Sequence, residues 1–306
     1  MGHVCQDGHT LQGDHNEMQL LINGTILGLT ISVLALAFTV VYLPTRVFHL
    51  ALGAVYVAAP FIAWTLLQGR WGWPAAVAAA CLAGVLLSLL CELINHSPLS
   101  RKGASPGAHL VSSLGIFILL VQVVSMYWGE ETKVLRTGLD SVFELWRAAV
   151  TRVQFVAAVA SVLLIALFFM WLRFTGLGLQ FRALASNQAE TALRGYNLRR
   201  LRLVAFGISG LLATASAILV SLDLGFNSQG GLTALFLAVV AVIVGGRETF
   251  AGPVVGGILL GMVRTLAVWF LSTRWQEGIT FLLLALFLFV RPSGLFRQKR
   301  RIEAQA

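Results

Sequence analysis

Long apolar segments alternate with short polar segments along almost the whole chain. A bilayer core about 30 Å thick is crossed by roughly 20 apolar residues in a helix, and a helix satisfies its own backbone hydrogen bonds in lipid. The pattern therefore predicts an all-α, polytopic integral membrane bundle with eight or nine transmembrane helices. The apolar runs cover residues 19–41, 47–67, 74–94, 108–128, 153–172, 203–222, 232–244, 252–271 and 279–290.

Two of these runs, residues 232–244 and 279–290, are short for a full crossing. Their length fits a tilted, half-buried or re-entrant segment equally well. The runs define three regions of the chain. We predict an exposed polar N-terminal tail at residues 1–18, a transmembrane domain at residues 19–296 and a basic cytoplasmic tail at residues 297–306.

Composition excludes a water-soluble fold. Of 306 residues, 58% are hydrophobic and 11% are charged, and the mean hydropathy is +0.83. Soluble domains devote about a quarter of their residues to charges. The expected environment is therefore the lipid bilayer of a bacterial-type plasma (inner) membrane, with the chain as a multi-pass protein.

The positions of Lys and Arg predict the orientation, because cytoplasmic loops accumulate these residues. With nine spans and the N-terminus outside, fifteen basic residues fall on the inner side and six on the outer side. The pattern favours an N-out, C-in topology. It also accounts for the net charge of +9, so no nucleic-acid partner is needed to explain the basic composition.

The sequence offers no set of residues for catalysis or for binding a metal. His3, His9 and His15 are irregularly spaced, and a solvated tail is favoured over a metal site there. Cys81 and Cys91 lie in one apolar run and, with Cys5, form no ligand pattern. We expect neither a catalytic residue nor a metal site in this chain.

Glycines spaced by four recur inside the apolar runs. Such pairs allow helix backbones to approach closely in a membrane. We interpret them as packing positions in a compact bundle rather than as the lining of a pore. The pairs are Gly24 and Gly28, Gly252 and Gly256, and Gly257 and Gly261.

The interval at residues 173–202 is too long for a tight turn and is strongly basic. Residues 181–197 read as one short helix, with Ala185, Ala189 and Ala192 on a narrow small-residue face and Gly195 as its stop. Two interpretations are equally supported by these residues. The helix docks into a groove of a partner protein, or it lies on anionic lipid through its arginines.

The chain resembles the permease subunits of branched-chain amino acid type ABC importers from about residue 20 to residue 297. The opening Leu21-Ile-Asn-Gly-Thr-Ile-Leu-Gly28 is similar to the family's first helix, and Arg182-Ala-Leu-Ala185 with Gly195-Tyr-Asn197 resembles its cytoplasmic loop. The glycine-rich residues 244–246 and 251–257 resemble a late segment of the family, and Val290-Arg-Pro-Ser-Gly-Leu-Phe296 resembles its C-terminal ending.

This resemblance implies several partners. They are ABC ATPase subunits, a second permease subunit that is homologous or identical, and an extracytoplasmic solute-binding protein. The chain has no Gly-x-x-x-x-Gly-Lys-Ser/Thr loop, so ATP is expected on a partner and no cofactor on this chain. The resemblance favours ATPase docking for residues 181–197. The docking candidates are Arg182, Ala185, Asn187, Ala189, Glu190, Ala192 and Gly195.

A corridor for an amphipathic solute needs a few polar groups among apolar walls. Asn23, His49 and Gln122 qualify by position, as does Arg264, although a helix-end contact or an interhelical hydrogen bond explains each at least as well. For Arg264, snorkelling or pairing is favoured over a pathway role. His49, Leu52 and Ala54 replace polar residues of the family pattern, which leaves the substrate open. The candidate translocation pathway is Asn23, His49, Gly53, Gln122, Gly245 and Gly246.

We therefore predict a transport subunit, not an enzyme, that moves branched-chain or other amino acids by alternating access. Two alternatives stay open: an ABC permease for urea or short amides, and a secondary carrier or channel. An intramembrane enzyme would need a nucleophile with a base, or paired carboxylates, at membrane depth. The sequence presents neither pattern.

Overall fold

A computed structural model describes residues 6–136, 141–145, 148–291 and 294–296. The predicted basic tail at 297–306, together with His3 and Cys5 of the N-terminal tail, lies outside the described residues. The helices are α1 Gln6–Thr45, α2 Leu52–Gln68, α3 Trp73–Leu90, α4 Ser97–Arg101, α5 Pro106–Trp128, α6 Arg152–Phe174, α7 Gly176–Ser186, α8 Gln188–Leu193, α9 Leu198–Leu224, α10 Gly230–Gly245, α11 Gly252–Phe270 and α12 Gln276–Val290.

The apolar helices confirm a polytopic helical bundle. Seven segments are long and apolar enough to cross a membrane, and α2 and α10 are shorter apolar helices. A π-helical turn at Cys91–His96 joins α3 to α4, and a 3-10 turn at Thr273–Trp275 precedes α12. The backbone of α1 is helical from Gln6, so the helix begins well before its apolar part.

The second apolar run forms a shorter helix than its hydropathy predicts. Residues 47–67 were expected to be helical throughout, but α2 begins only at Leu52. Arg46 has a φ of 57°, a value that ends the right-handed helix for a side-chain-bearing residue. The link between α1 and α2 therefore turns at Arg46, and His49 lies in the link.

Helices α1 and α9 occupy the centre of the bundle. Within the described residues, 78% of the apolar window of α1 and 61% of that of α9 is buried, against 22% for α5 and for α6. Val33, Ala35 and Leu36 are fully buried. Helices that are apolar all round and buried on every side form the core, while α5 and α6 turn broad faces outward.

Close helix contacts confirm that the spaced glycines are packing positions. A Cβ added at Gly28 would lie 2.6 Å from the Ile258 Cα, and one added at Gly261 would lie 2.3 Å from the Gly28 Cα. Helices α1 and α11 therefore cross with their backbones in contact. Gly252 and Gly256 lie on another side of α11, where they face α10 in the same way.

Contacts between loops and helix termini define two ends of the bundle. At the first end, where the apolar part of α1 begins, the Gln19 side chain pairs with the backbone of Ala149. It donates a hydrogen bond of 2.9 Å and accepts one of 2.8 Å. Ala149 belongs to a hairpin of β1 Val142–Leu145 and β2 Ala148–Thr151, antiparallel, with Val142 opposite Thr151. At the second end, where α1 stops, Gln188 donates to the Pro44 carbonyl.

Candidate functional site

Residues 181–197 form two short helices, so the prediction of one helix is wrong. Asn187 has extended backbone angles, φ −153° and ψ 109°, and these end α7. Its Oδ1 then accepts hydrogen bonds from the N–H groups of Ala189 at 3.0 Å and Glu190 at 3.2 Å, which begins α8. Asparagine competes with helical backbone bonding and is a favoured N-cap.

The break separates Ala185 on α7 from Ala189 and Ala192 on α8. The three alanines therefore do not share one helix face, although the sequence predicts that they do. Gly195 follows α8 with a φ of 80°, and its N–H donates to the Ala192 carbonyl at 2.9 Å. The predicted stop at Gly195 is therefore confirmed. A residue in this left-handed region is usually glycine because glycine has no Cβ.

One face of the segment anchors it to the bundle. Phe181 and Leu184 of α7 are buried, and the Phe181 ring packs on Trp171 and Phe250 with centroids 5.6 and 5.7 Å apart. Thr191 is the buried residue of α8. The segment is thus held against the second end of the bundle by a few apolar contacts.

The opposite face is exposed and carries most of the docking candidates. Arg182, Asn187, Ala189, Glu190, Ala192 and Gly195 are exposed, and Ala185 is half-buried. Leu193 is 89% exposed between these residues and Arg194. An exposed leucine beside small residues and a Glu190–Arg194 pair of 2.5 Å gives a surface with an apolar centre and charged surroundings, as protein interfaces have.

A largely buried ion pair joins the start of α9, directly after this segment, to the π-helical turn that follows α3. Arg202 Nε donates to Glu92 Oε1 at 2.7 Å and its Nη2 donates to Oε2 at 3.1 Å. Glu92 is 2% exposed and lies in the π-helical turn. Sequence reasoning predicted no role for Glu92, because Arg202 is far away along the chain and only folding brings the two side chains together.

His49 belongs to a buried chain of three imidazoles at the second end. His49 Nδ1 lies 3.3 Å from His96 Nε2, and His96 Nδ1 lies 3.2 Å from His109 Nδ1. All three rings are buried, and the Phe206 ring of α9 packs on His49 and His96. His96 presents a different nitrogen to each neighbour, so the rings form a chain and do not converge on one point.

A large cavity lies between α1, α9, α10 and α11, with contributions from α2, α6 and α12, and we call it the central cavity. Its volume is about 640 Å³, within the range of roughly 300–1,000 Å³ that is typical of small-molecule sites. Its apolar walls include Ile31, Leu34, Leu219 and Leu237. Its polar groups are Asn23, Thr30, Tyr56, Gln154, Ser216, Asp223, Thr233, Arg264, Thr265 and Gln276.

Of the six predicted pathway residues, the structure places Asn23 in the central cavity. His49 is in the imidazole chain, and Gln122 is exposed on the outer face of α5. Gly53 meets Gly231 of α10, where an added Cβ would lie 3.0 Å from the Gly231 carbonyl oxygen. The structure therefore does not bring the six residues together.

Gly245 and Gly246 are close-packing positions at the second end. Phe296 and Leu295 donate backbone hydrogen bonds of 3.0 Å to the carbonyls of Gly245 and Val244. A Cβ at Gly246 would lie 2.4 Å from the Phe296 carbonyl oxygen. The glycines allow the segment after α12 to lie against the end of α10.

Sequence reasoning missed the acidic group of the central cavity. Asp223 sits at the end of α9 and was assigned to an outer loop, yet it lines the cavity with Arg264. Its position near the end of an apolar run is a usable signal, since a charge at a helix end either faces water or faces a site.

The chain is similar over more than 90% of its length to known permeases. It is 26% identical to the high-affinity branched-chain amino acid transport system permease protein LivH of Escherichia coli K12 over 91% of this chain and 94% of the relative. It is 27% identical to the permease protein BraD of Pseudomonas aeruginosa over 92% and 96%. A probable LivH of Methanocaldococcus jannaschii is 24% identical over 92% and 93%.

These names support the branched-chain amino acid interpretation and not the urea or short-amide alternative. Together with the seven membrane-length helices, they confirm a multi-pass protein of the plasma (inner) membrane. The family model described as "Branched-chain amino acid transport system / permease component" matches residues 20–289. With most of the chain matched, the protein belongs to this family of membrane permease components.

Proposed function

We propose that this chain is the membrane-spanning subunit of an ATP-driven importer that moves branched-chain amino acids, with its N-terminus outside and its C-terminus in the cytoplasm. The exposed face of α7 and α8 at the second end carries the proposal. This face combines an 89% exposed leucine with small residues, and basic residues crowd around it as they do in cytoplasmic loops.

The remaining partners follow from the family. Two ATPase subunits hydrolyse ATP on the cytoplasmic side, a second permease subunit completes the membrane domain, and a soluble binding protein delivers substrate outside. This chain binds no nucleotide of its own. Broad apolar faces on α5, α6 and α12 are available to lipid and to the second permease subunit.

Coupling requires that the two ATPase states contact this chain differently. A movement of α8 would reach the bundle through two contacts. Gln188 donates to the Pro44 carbonyl at the end of α1, and Arg202 holds Glu92 at the end of α3. ATPase closure would thus act on the central helix α1 and on α3 and α9, and the bundle would switch from outward to inward access.

The test is purification of the tagged chain from its native membrane in mild detergent, followed by an ATPase assay. Ala189→Trp places a bulky ring on the exposed face without touching the core, and we expect it to lower ATPase recovery and ATP-driven uptake at least about tenfold. Gly195 is a poorer test site because its φ of 80° makes any larger residue strain the backbone.

Ala108→Trp is the matched control, because Ala108 is also exposed at the second end. Ala108 lies outside residues 181–197, which we call the docking segment. The control variant should leave ATPase recovery unchanged. Full ATPase recovery with Ala189→Trp would reject this face as the docking surface and favour an interfacial helix on lipid. A wild-type chain that is purified without any ATPase would favour a carrier or channel.

A further inference from the structure

We propose that the central cavity binds the transported amino acid as a zwitterion, with Arg264 holding the carboxylate and Asp223 the ammonium group. This inference rests on the proposed function, and it assigns substrate recognition within the membrane to named residues of this subunit. It adds a membrane site to the selection that a soluble binding protein makes outside.

Arg264 is a buried cation with free hydrogen-bonding capacity. It is 8% exposed, its Nη1 donates to Thr280 Oγ1 at 2.8 Å, and its Nε has no hydrogen-bond partner. A guanidinium carries five N–H donors in a planar fork. A buried charge without a counter-charge is costly, so a carboxylate in the cavity would satisfy both the charge and the free donor.

No protein carboxylate fills this role in the described part of the chain, where Arg264 makes no ion pair. Glu277 lines a smaller adjoining cavity with Arg264 and attracts its guanidinium, but the Glu277 side chain is exposed and makes no ion pair with it. Thr280, the hydrogen-bond partner of Arg264 among the described residues, is neutral. The anion that suits Arg264 is therefore one that enters from the cavity.

Asp223 supplies the opposite charge on the same cavity wall. It is half-buried at the end of α9 and has neither an ion pair nor a side-chain hydrogen bond among the described residues. Arg264 and Asp223 carry opposite charges, neither makes an ion pair among the described residues, and both line the central cavity. Together they match the two charges of an amino acid. A urea-like solute, which carries no charge, would gain nothing from either group.

The remaining surface suits an apolar side chain. The apolar part of the cavity lining includes Ile26, Leu27, Leu219, Val220 and Leu237, and burial of apolar surface stabilises binding by roughly 25 cal/mol per Å². The cavity therefore favours amino acids with branched aliphatic side chains over polar ones. Few polar groups among apolar walls is the usual composition of a small-molecule site.

The cavity reaches from the first end of the bundle to about the middle of the membrane. Its lining on α1 runs from Asn23 to Leu34, which is about 16 Å of helix and about half of a 30 Å bilayer core. Further along α1, Phe38 and Tyr42 pack on Phe48, with centroids 5.0 and 5.6 Å from it. These packed rings lie between the cavity lining on α1 and the second end, so the cavity lies in the half of the bundle that faces outside in the proposed topology.

The test is equilibrium binding of radiolabelled leucine to the purified complex of this chain with its partner subunits, without the binding protein. Arg264→Gln removes the charge, and we expect leucine binding to weaken about 10- to 100-fold, since hydrogen bonds to charged groups are strong. Arg264→Lys should retain part of the affinity. Arg274→Gln is the control, because Arg274 is an exposed arginine near the same end.

Competition with analogues separates recognition from a general structural effect. Leucinamide lacks the carboxylate, and the wild type should prefer leucine to it by at least about tenfold. Arg264→Gln should lose this preference. Asp223→Asn should instead lose the preference for leucine over isocaproate, which lacks the ammonium group, and this variant decides the matter if Arg264→Gln fails to assemble.

Unchanged leucine binding in Arg264→Gln, or a wild-type complex that does not distinguish leucine from leucinamide, would overturn the proposal. ATPase recovery is measured on the same samples. A complex that retains its ATPase but lacks the binding preferences rejects the cavity site alone, whereas a chain that brings no ATPase rejects the proposed function.

Discussion

Asn187 sets the shape of the docking segment through two effects of one residue. Its extended backbone stops α7 after Ser186, and its side chain accepts from the N–H groups of Ala189 and Glu190 in the first turn of α8. Its own backbone carbonyl also accepts from Thr191 Oγ1 at 2.7 Å, and Thr191 is the buried residue of α8. The cap and the anchor of this short helix are therefore linked through Asn187.

Asn187→Ala should loosen α8, because an N-cap contributes about 1 kcal/mol and a helix of this length has little other support. We expect faster tryptic cleavage after Arg194 and about fivefold lower ATPase recovery. Asn187→Asp, which keeps the cap, is the control and should behave like the wild type. Equal cleavage rates in the two variants would contradict this role of the side chain.

At the residue scale, the sequence identifies polar positions better than it identifies their surroundings. Hydropathy finds Asn23, His49 and Gln122 because each interrupts an apolar run. Which face of a helix is buried depends on the neighbouring helices, and the low amphipathicity of an all-apolar helix conceals it. Hydropathy therefore selected Asn23, which lines the central cavity, His49, which belongs to the imidazole chain, and Gln122, which is exposed.

At the scale of single elements, the π-helical turn Cys91–His96 contacts several neighbouring elements at the second end. It holds Glu92 against Arg202 at the start of α9, and it presents His96 between His49 and His109. Turns of this kind insert one extra residue per turn and often occur at functional sites. Here the turn ties the α1–α2 link, α5 and the docking segment into one unit.

Breaking the Glu92–Arg202 pair should be destabilising. Glu92→Gln leaves the Arg202 charge without its partner, and because the Arg202 side chain is 19% exposed we expect a cost below the roughly 3–5 kcal/mol of a fully buried pair. We expect a lower thermal unfolding temperature of the detergent-solubilised complex and loss of ATP-driven uptake. The double variant Glu92→Gln with Arg202→Met should recover much of the stability, because it leaves no unpaired charge.

Glu190→Gln is the matched control, since it breaks the exposed Glu190–Arg194 pair on the same segment. Exposed pairs contribute about 0–1 kcal/mol, so the unfolding temperature should hardly change. A double variant that is no more stable than Glu92→Gln alone would contradict an electrostatic origin of the effect.

Element identity was largely predictable, and element boundaries were less so. Nine apolar runs correspond to nine apolar helices because hydropathy and helix formation in lipid are local properties. The late start of α2 and the break at Asn187 depend on backbone angles at single residues. The hairpin at residues 142–151 depends on its pairing with Gln19, which no local pattern reveals.

At the scale of the whole molecule, the two proposed sites lie at opposite ends and share the central helices. Helix α9 carries Arg202 near its start and Asp223 near its end. Helix α1 lines the cavity from Asn23 to Leu34 and reaches Gln188 through Pro44. Rigid packed helices can transmit a shift between such sites when the bundle has two arrangements, so α1 and α9 are the expected carriers of coupling.

Coupling between the two proposed sites requires that the first end faces outside and the second end faces the cytoplasm, as the sequence predicts. In a background with the native cysteines replaced, Arg274→Cys reports on the first end and Leu193→Cys on the second, and both positions are exposed. A membrane-impermeant maleimide added to intact cells should label Arg274→Cys at least about tenfold more than Leu193→Cys, since fifteen basic residues against six predict that the second end is cytoplasmic. Inverted vesicles should reverse the ratio, and the opposite labelling pattern would remove the docking segment from the side where ATP is hydrolysed.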